Sequence, residues 1–363
     1  MRTKNFLIFL CSVVTVSLLL IIFGQQKPTT IQDIVTSTHQ QLQNLKETLR
    51  DAESKTLVAD EKYLTQLGFV DKPRLYPNDI WHNTTLPVIV TYTLEGQESQ
   101  AIGFINNIGK VLPNNTILIY NLGLGNHALR MLLNYCNSSR CQVVTFNLNE
   151  FPSHVEDEAL RAYRPLILQD ALQHTGSIFF LESNIRLKRY VIPEVLFALY
   201  DSVVKGTGIL TWAMPYKNAV SSRTHKKMFD YFHTDADNFL FLQMVSADII
   251  ILINTKSTHK EVMLPWVQCA LTQDCIHPIG AQSGGCRFNK KPQYRYSGCH
   301  NHDASALNIV LGLKFKLDSS KYTYQPNSEL FKVVPLDRAV LELQGLEQNS
   351  TTEGKTQYES SFT

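Results

Sequence analysis

Between residues 87 and 254 the hydrophobic positions fall into short unbroken runs separated by stretches of helical spacing. Pro87-Val88-Ile89-Val90-Thr91-Tyr92, Thr116-Ile117-Leu118-Ile119-Tyr120, Val143-Val144-Thr145-Phe146 and Ile178-Phe179-Phe180-Leu181 are such runs. Runs without polar alternation suit strands covered on both faces, as in a parallel sheet. Ile209 to Trp212 and Ile249 to Asn254 continue the series, and Ala101 to Val111 reads as a helix between the first two strands. Strands alternating with helical pattern predict an α/β domain with a mainly parallel central sheet. At roughly 265 residues it is large for one core, yet no linker-like composition divides it.

The best-marked junction runs from residue 153 to residue 187. Ser153 followed by Glu156 reads as a capping box opening one helical piece. Pro165 at the start and Gly176 past the end bracket a second helix, Leu166 to His174. The run Ile178 to Leu181 follows and stops at Glu182-Ser183-Asn184. In open α/β sheets ligands lie just beyond such strand ends. The oxygen donors of Glu182, Ser183 and Asn184 suit a hard divalent cation, Mn2+ or Mg2+, bridging a nucleotide diphosphate. Arg164, Arg186 and Lys188 are close in sequence and suit phosphate oxygens with or without a metal. A polar triplet after a buried strand also arises as a plain solvated loop.

Upstream, Phe6 to Phe23 is an apolar run long enough to span a bilayer, preceded by Arg2 and Lys4. The expectation is an uncleaved signal-anchor: 1–5 cytoplasmic, 6–23 in the membrane and the rest lumenal, with a cleaved signal peptide as the alternative. Ile31, Val35, Leu42, Leu45 and Leu49 fall at heptad a and d spacings within the stem, 24–67. That spacing suits a short coiled coil joining a homodimer, or equally a single amphipathic helix packed on the domain. The globular part is 68–335. The polar tail, 336–363, is expected to be disordered from Gln344 on.

Composition narrows the compartment and the partners. A net charge of +2 excludes a strong nucleic-acid footprint, and 44% hydrophobic residues suffice for a packed core. Beyond Cys11 in the anchor there remains an even set: Cys136, Cys141, Cys269, Cys275, Cys286 and Cys299. Six cysteines allow fifteen pairings, and short separations favour 136 with 141, 269 with 275 and 286 with 299. The absence of a Cys-x-x-Cys pair ranks zinc below disulfides. Sequons at Asn83, Asn114, Asn137 and Asn349 fit the same oxidising secretory compartment, Golgi or ER.

Three further stretches bear on chemistry. His233-Thr234-Asp235-Ala236-Asp237 holds a literal acid-x-acid pair, but no buried strand precedes it. Thr234 with Asp237, ahead of Phe239 to Met244, reads as a helix N-terminus. Tyr120 to Gly125 lies between strand and helix, where a nucleotide or S-adenosylmethionine loop would sit. Its third glycine is missing, so a two-glycine turn competes with a methyltransferase reading. Between Cys286 and Cys299, Arg287, Lys290, Lys291 and Arg295 are interleaved with Phe288, Tyr294 and Tyr296, which suits sugars and anionic groups as well as a solvated disulfide loop.

Tyr163-Arg164-Pro165-Leu166, the stretch from Gly176 to Asn184, and Asp303-Ala304-Ser305-Ala306-Leu307-Asn308 together resemble an invertebrate-expanded family of type II membrane proteins. That family is similar to the glycogenin-like glycosyltransferases of the GT-A fold. These place a helical Lys or Arg before a strand ending in Asp-x-Asp, and a later Asp-Gln-x-x-Leu-Asn element near the sugar. The resemblance covers roughly Gly68 to Val334. It implies a GT-A-like domain that transfers a sugar from a nucleotide-diphosphate donor to a glycan or glycoconjugate acceptor. Arg164 and Asp303 are then the catalytic candidates, and Glu182, Ser183, Asn184, Arg186 and Asn308 the donor-binding ones. Glu182 and Asn184 would be the metal ligands. At the family's Asp-x-Asp this chain has Glu182-Ser183-Asn184, and at its Asp-Gln it has Asp303-Ala304. A degenerate relative that binds glycan or protein without turnover is therefore the alternative, with the methyltransferase behind it.

Overall fold

The computed structural model describes Thr15 and residues 55–70, 72–76, 87–188, 193–289, 291–324 and 330–360. Apart from Thr15, the expected anchor and most of the stem, including every heptad position named above, lie outside these residues. Among the described residues no helix is long and apolar enough to cross a membrane.

Nine strands occur among the described residues: β1 Val88–Thr93, β2 Ile117–Asn121, β3 Cys141–Thr145, β4 Ser177–Leu181, β5 Ile185–Leu187, β6 Ile209–Ala213, β7 Val245–Ile253, β8 Thr323–Tyr324 and β9 Phe331–Val333. The main sheet has the order β3-β2-β1-β4-β7-β6-β8, and β5 pairs with β9 in a small second sheet. β1, β2, β3 and β4 are mutually parallel, whereas β7 runs antiparallel to both β4 and β6. The sheet is thus mainly parallel, with one reversed strand at its centre. This reversal brings the start of β7 beside the end of β4.

The labelled helices are α1 Glu98–Val111, α2 Asn126–Tyr135, α3 Tyr163–Thr175, α4 Pro193–Lys205, α5 Leu264–Leu271, α6 His302–Lys314 and α7 Leu336–Ser360. Two apolar cores lie on the two faces of the sheet, and successive strand residues alternate between them. Ile89, Ile117, Ile119 and Phe179 join one core, with α1 and α2; Val90, Leu118, Ile178 and Phe180 join the other, with α3, α5 and α6. On α1 the buried residues Ala101, Phe104, Ile105 and Ile108 form one stripe. α3 has no polar face. Nine of its residues from Tyr163 to Leu172 are buried, so it is a core helix rather than a surface one. It ends at Gly176, whose φ of 75° is the left-handed cap that glycine adopts without strain.

Several sequence expectations are corrected here. Ser153–Glu156 is a single 3-10 turn that starts after Pro152 without a side-chain cap bond. The run after Asp237 does not continue as a helix: Ala236–Phe239 is one 3-10 turn, and the chain then extends into β7. From Gln344 to Ser360 the tail belongs to α7 instead of being disordered, and α7 packs against α1. The three disulfides are 136–141, 269–275 and 286–299, the pairing that short separations favour.

Candidate active site

Glu182 stands immediately after β4, at the end of the parallel strands where loops leave the sheet. The first turn of α3 brings Arg164 to it and the first turn of α6 brings Asp303, because both helices begin at that end. Arg164 Nη2 lies 2.6 Å from Glu182 Oε1 and 3.2 Å from Asp248 Oδ1, while Nη1 lies 3.0 Å from Asp303 Oδ2. The Tyr92 hydroxyl at the end of β1 donates to Glu182 Oε1 at 2.8 Å. Arg161, one turn before Arg164, lies 3.3 Å from Asp248 and 3.7 Å from Glu182. Two guanidiniums thus face three carboxylates.

Burial decides the protonation states. Arg164 is 1% exposed; burial opposes its charge, but Asp303 and Glu182 outweigh burial and hold its pKa above the ordinary arginine value. Burial pushes the Asp303 carboxyl up to about 6 against the pull of Arg164. Burial and the neighbouring Glu182 carboxylate raise the Tyr92 phenol, so it remains a donor. His300 and His302, also in the wall, are lowered mainly by burial and stay neutral at pH 7. Both rings lie within hydrogen-bond distance of the Ile276 carbonyl.

Arg161, Arg164, Asp248 and Asp303 of this cluster, together with His300 and His302, line a cavity of about 370 Å³. Arg161 and His302 have φ of 51° and 43°, left-handed conformations that cost energy in residues with a Cβ. Two such residues in one cavity wall mark backbone held out of its minimum, a feature that clusters at functional sites.

The other sequence-predicted residues stand outside this ion cluster. Arg186 is buried and donates to the carbonyls of Ser183, Ile185 and Gln100, and it pairs with Glu342 of α7. It therefore braces β5 against α1 and α7. The Asn184 carbonyl accepts from Val334 N, which closes the small sheet. Asn308 bonds both backbone groups of Val245 and the Ala304 carbonyl, tying α6 to β7. Of the sequons, Asn114 and Asn137 are exposed, Asn83 lies outside the described residues, and nothing is described of the Asn349 side chain. Asn114 and Asn137 precede β2 and β3, at the end of the sheet opposite the cavity.

Sequence reasoning missed Asp248, Arg161, Tyr92, His300 and His302. Asp248 left a trace, since it is the lone charged residue in the mostly apolar β7. The rival glycine loop is filled by its own chain: Asn121 Oδ1 accepts from the amides of Gly123 and Leu124, and Glu95 takes that of Gly125. Amides spent in this way are not free to cradle a phosphate.

A resident divalent cation asks for several convergent oxygens. Glu182 Oε1 instead receives Tyr92 and Arg164, and the near oxygens of Asp248 and Asp303 face the same guanidinium. Among the described residues no three His, Cys, Asp or Glu side chains converge as a metal site. The donor set does not fit a resident metal.

No family model and no curated protein matches the chain. Among solved structures it is similar to the WbbM bifunctional glycosyltransferase in its apo form, with TM-score 0.42 and 11% identity over 68% of this chain and 39% of that one. Mouse xyloside xylosyltransferase 1 gives TM-score 0.39 and 8% identity over 66% and 84% of the two chains. Core-mannan synthase A from Aspergillus fumigatus, in a Mn/GDP form, gives 0.41 and 10% over 70% and 76%.

Proposed function

We propose that this chain is a membrane-anchored, lumenal GT-A-like glycosyltransferase that takes a nucleotide-diphosphate sugar. The observation that carries the reading is the ion cluster Arg164–Glu182–Asp248–Asp303 at the ends of the parallel strands, three of whose members, Arg164, Asp248 and Asp303, line a cavity. Ligands of open α/β sheets bind at such ends. In this reading Arg161, the more exposed guanidinium, meets the donor diphosphate, and Arg164 is held behind it by the carboxylates. Asp303 hydrogen-bonds a donor-sugar hydroxyl. Transfer breaks the bond from the sugar's anomeric carbon to the phosphate oxygen and forms a bond to an acceptor hydroxyl oxygen. The hydroxyl proton is released and the nucleoside diphosphate departs, its charge offset by the guanidiniums.

A second reading is a degenerate binder. Ala304 has no amide to offer where the resembled family has one, and the ion pairs already satisfy much of the cluster's charge. Titrating a panel of nucleotide sugars, then assaying transfer to a broad acceptor panel, separates the two. Glu182→Gln keeps the shape and removes the charge. It is expected to lower turnover roughly ten- to a hundredfold, the value of one charge-assisted contact, whereas Asp237→Asn should leave it unchanged. Equal loss in both would move the site to the Asp235 region. Donor binding without turnover in the unmodified protein would leave the binder.

A further inference from the structure

We infer that the face built from Phe241, Tyr294 and the Cys286–Cys299 loop is where the acceptor lands, and that this acceptor is an anionic oligosaccharide, one bearing uronate, sialate or sulfate groups. The word acceptor rests on the transferase reading; the binding surface does not. Phe241 is 87% exposed, yet it is not a loose side chain. Its neighbours Phe239 and Leu242 are buried in the core and clamp the backbone, so the ring is presented outward. Tyr294 lies against it with ring centroids 6.0 Å apart and planes at 64°. Tyr216, 71% exposed, is on the same connected segments, since Met244 N donates to Asn218 O, and Asn218 N to Tyr216 O.

The turn Val220–Ser222 with Arg223 joins this aromatic face to the cavity. On one side Val220 N bonds Leu242 O, Ser221 Oγ donates to Tyr294 O at 2.9 Å, and Ser297 N bonds Ser222 O at 2.8 Å. On the other, the Arg223 carbonyl accepts from Asn301 N at 3.1 Å and from Ser305 Oγ at 3.0 Å. Asn301 lines the cavity and Ser305 is two residues from Asp303. One hydrogen-bonded turn therefore links the aromatic face to the cavity wall.

Charge identifies its class. Between Cys286 and Cys299 there are four Lys or Arg residues and no Asp or Glu. Arg287, Lys291 and Arg295 are exposed, and Arg223 stacks over the Phe288 ring at 4.4 Å. Sugar rings present apolar C–H faces that pack on aromatic rings, while guanidiniums pair with carboxylate and sulfate. A neutral glycan leaves those cations unused. A nucleic acid would also use rings and cations, but a net charge of +2 over the whole chain leaves no extended basic footprint for a phosphate backbone.

The test uses the full chain in detergent. Its probes are labelled neutral oligosaccharides, oligosaccharides bearing uronate or sulfate, and a single-stranded oligonucleotide, with nucleotide-sugar titration run separately. The acidic oligosaccharides should bind, and their affinity should fall between about 50 and about 300 mM salt. Phe241→Ser and Tyr294→Ser should each weaken them about tenfold, with melting temperature and nucleotide-sugar affinity unchanged. Binding of neutral glycans or the oligonucleotide alone, no glycan binding, or full binding by Phe241→Ser would overturn the inference. Acidic-glycan binding that Phe241→Ser abolishes, in a chain that takes no nucleotide sugar, would keep the surface and remove the transferase.

Discussion

Arg164 keeps a full positive charge in the interior because three carboxylates converge on it, and removing either side would leave the other buried and uncompensated. Asp303 is the member whose charge changes near neutrality, since burial pushes it up to about 6. Above that value the two arginines face three carboxylates; below it they face two. Affinity for an anionic donor should therefore rise as pH falls from about 7.5 to about 5.5. A nucleotide sugar is the right probe, because its diphosphate carries no proton that titrates in that range. Several-fold stronger binding at the lower pH, abolished in Asp303→Asn, is expected by calorimetric titration; a flat profile in the unmodified chain would reject it. The sign for stability follows from the same shift. Folded Asp303 keeps its proton to higher pH than the unfolded carboxyl does, so its contribution to stability falls as pH rises from about 4 to about 6. Arg164 and Glu182 were legible in the sequence because one stands beside the Pro165 helix start and the other at a strand end, whereas Asp303 came only through the resemblance carried by Asp303 to Asn308. Asp248 was not legible, because only strand pairing puts Glu182 N against the Asp248 carbonyl.

At the scale of elements, the segment after β4 has two sides with different duties. Glu182 faces the cavity cluster, whereas Arg186, four residues on, turns to α1 and α7. Gly103 permits that crossing: a Cβ there would collide with the Arg186 guanidinium and with Glu342. Arg186→Met should thus act on stability and leave the donor KM unchanged. It strips a donor from the carbonyls of Ser183, Ile185 and Gln100, at about 3 kcal/mol by urea unfolding. A raised donor KM without loss of stability would return Arg186 to the binding site. Proximity in sequence could not separate these duties. The turn from Glu182 to Asn184 carries the chain from the main sheet into the small one, and the partners around each side chain are set by remote segments.

For the whole molecule, the proposed topology places everything after Phe23 in the lumen. Endoglycosidase treatment of protein from microsomes should lower its apparent mass, and sealed vesicles should protect the domain from added protease. Glycans at Asn114 and Asn137 would leave the cavity open, because those residues precede β2 and β3 while the cavity lies past the ends of β1 and β4. Unglycosylated protein whose domain is digested outside the vesicles would reverse the orientation. The features legible from residue order alone are local. Apolar runs set the strands, Gly176 the end of α3, and short separations the three disulfides, because each depends on contacts within a few residues. The reversed strand β7, the burial of Arg164, the bracing role of Arg186 and the helical tail were decided only by tertiary structure. Each depends on partners distant in the chain, such as Arg164 with Asp248, 84 residues apart, and Arg186 with Glu342, 156 apart. No local pattern encodes which of many distant carboxylates or helices will close such a contact, since that is set by packing the two cores around one sheet.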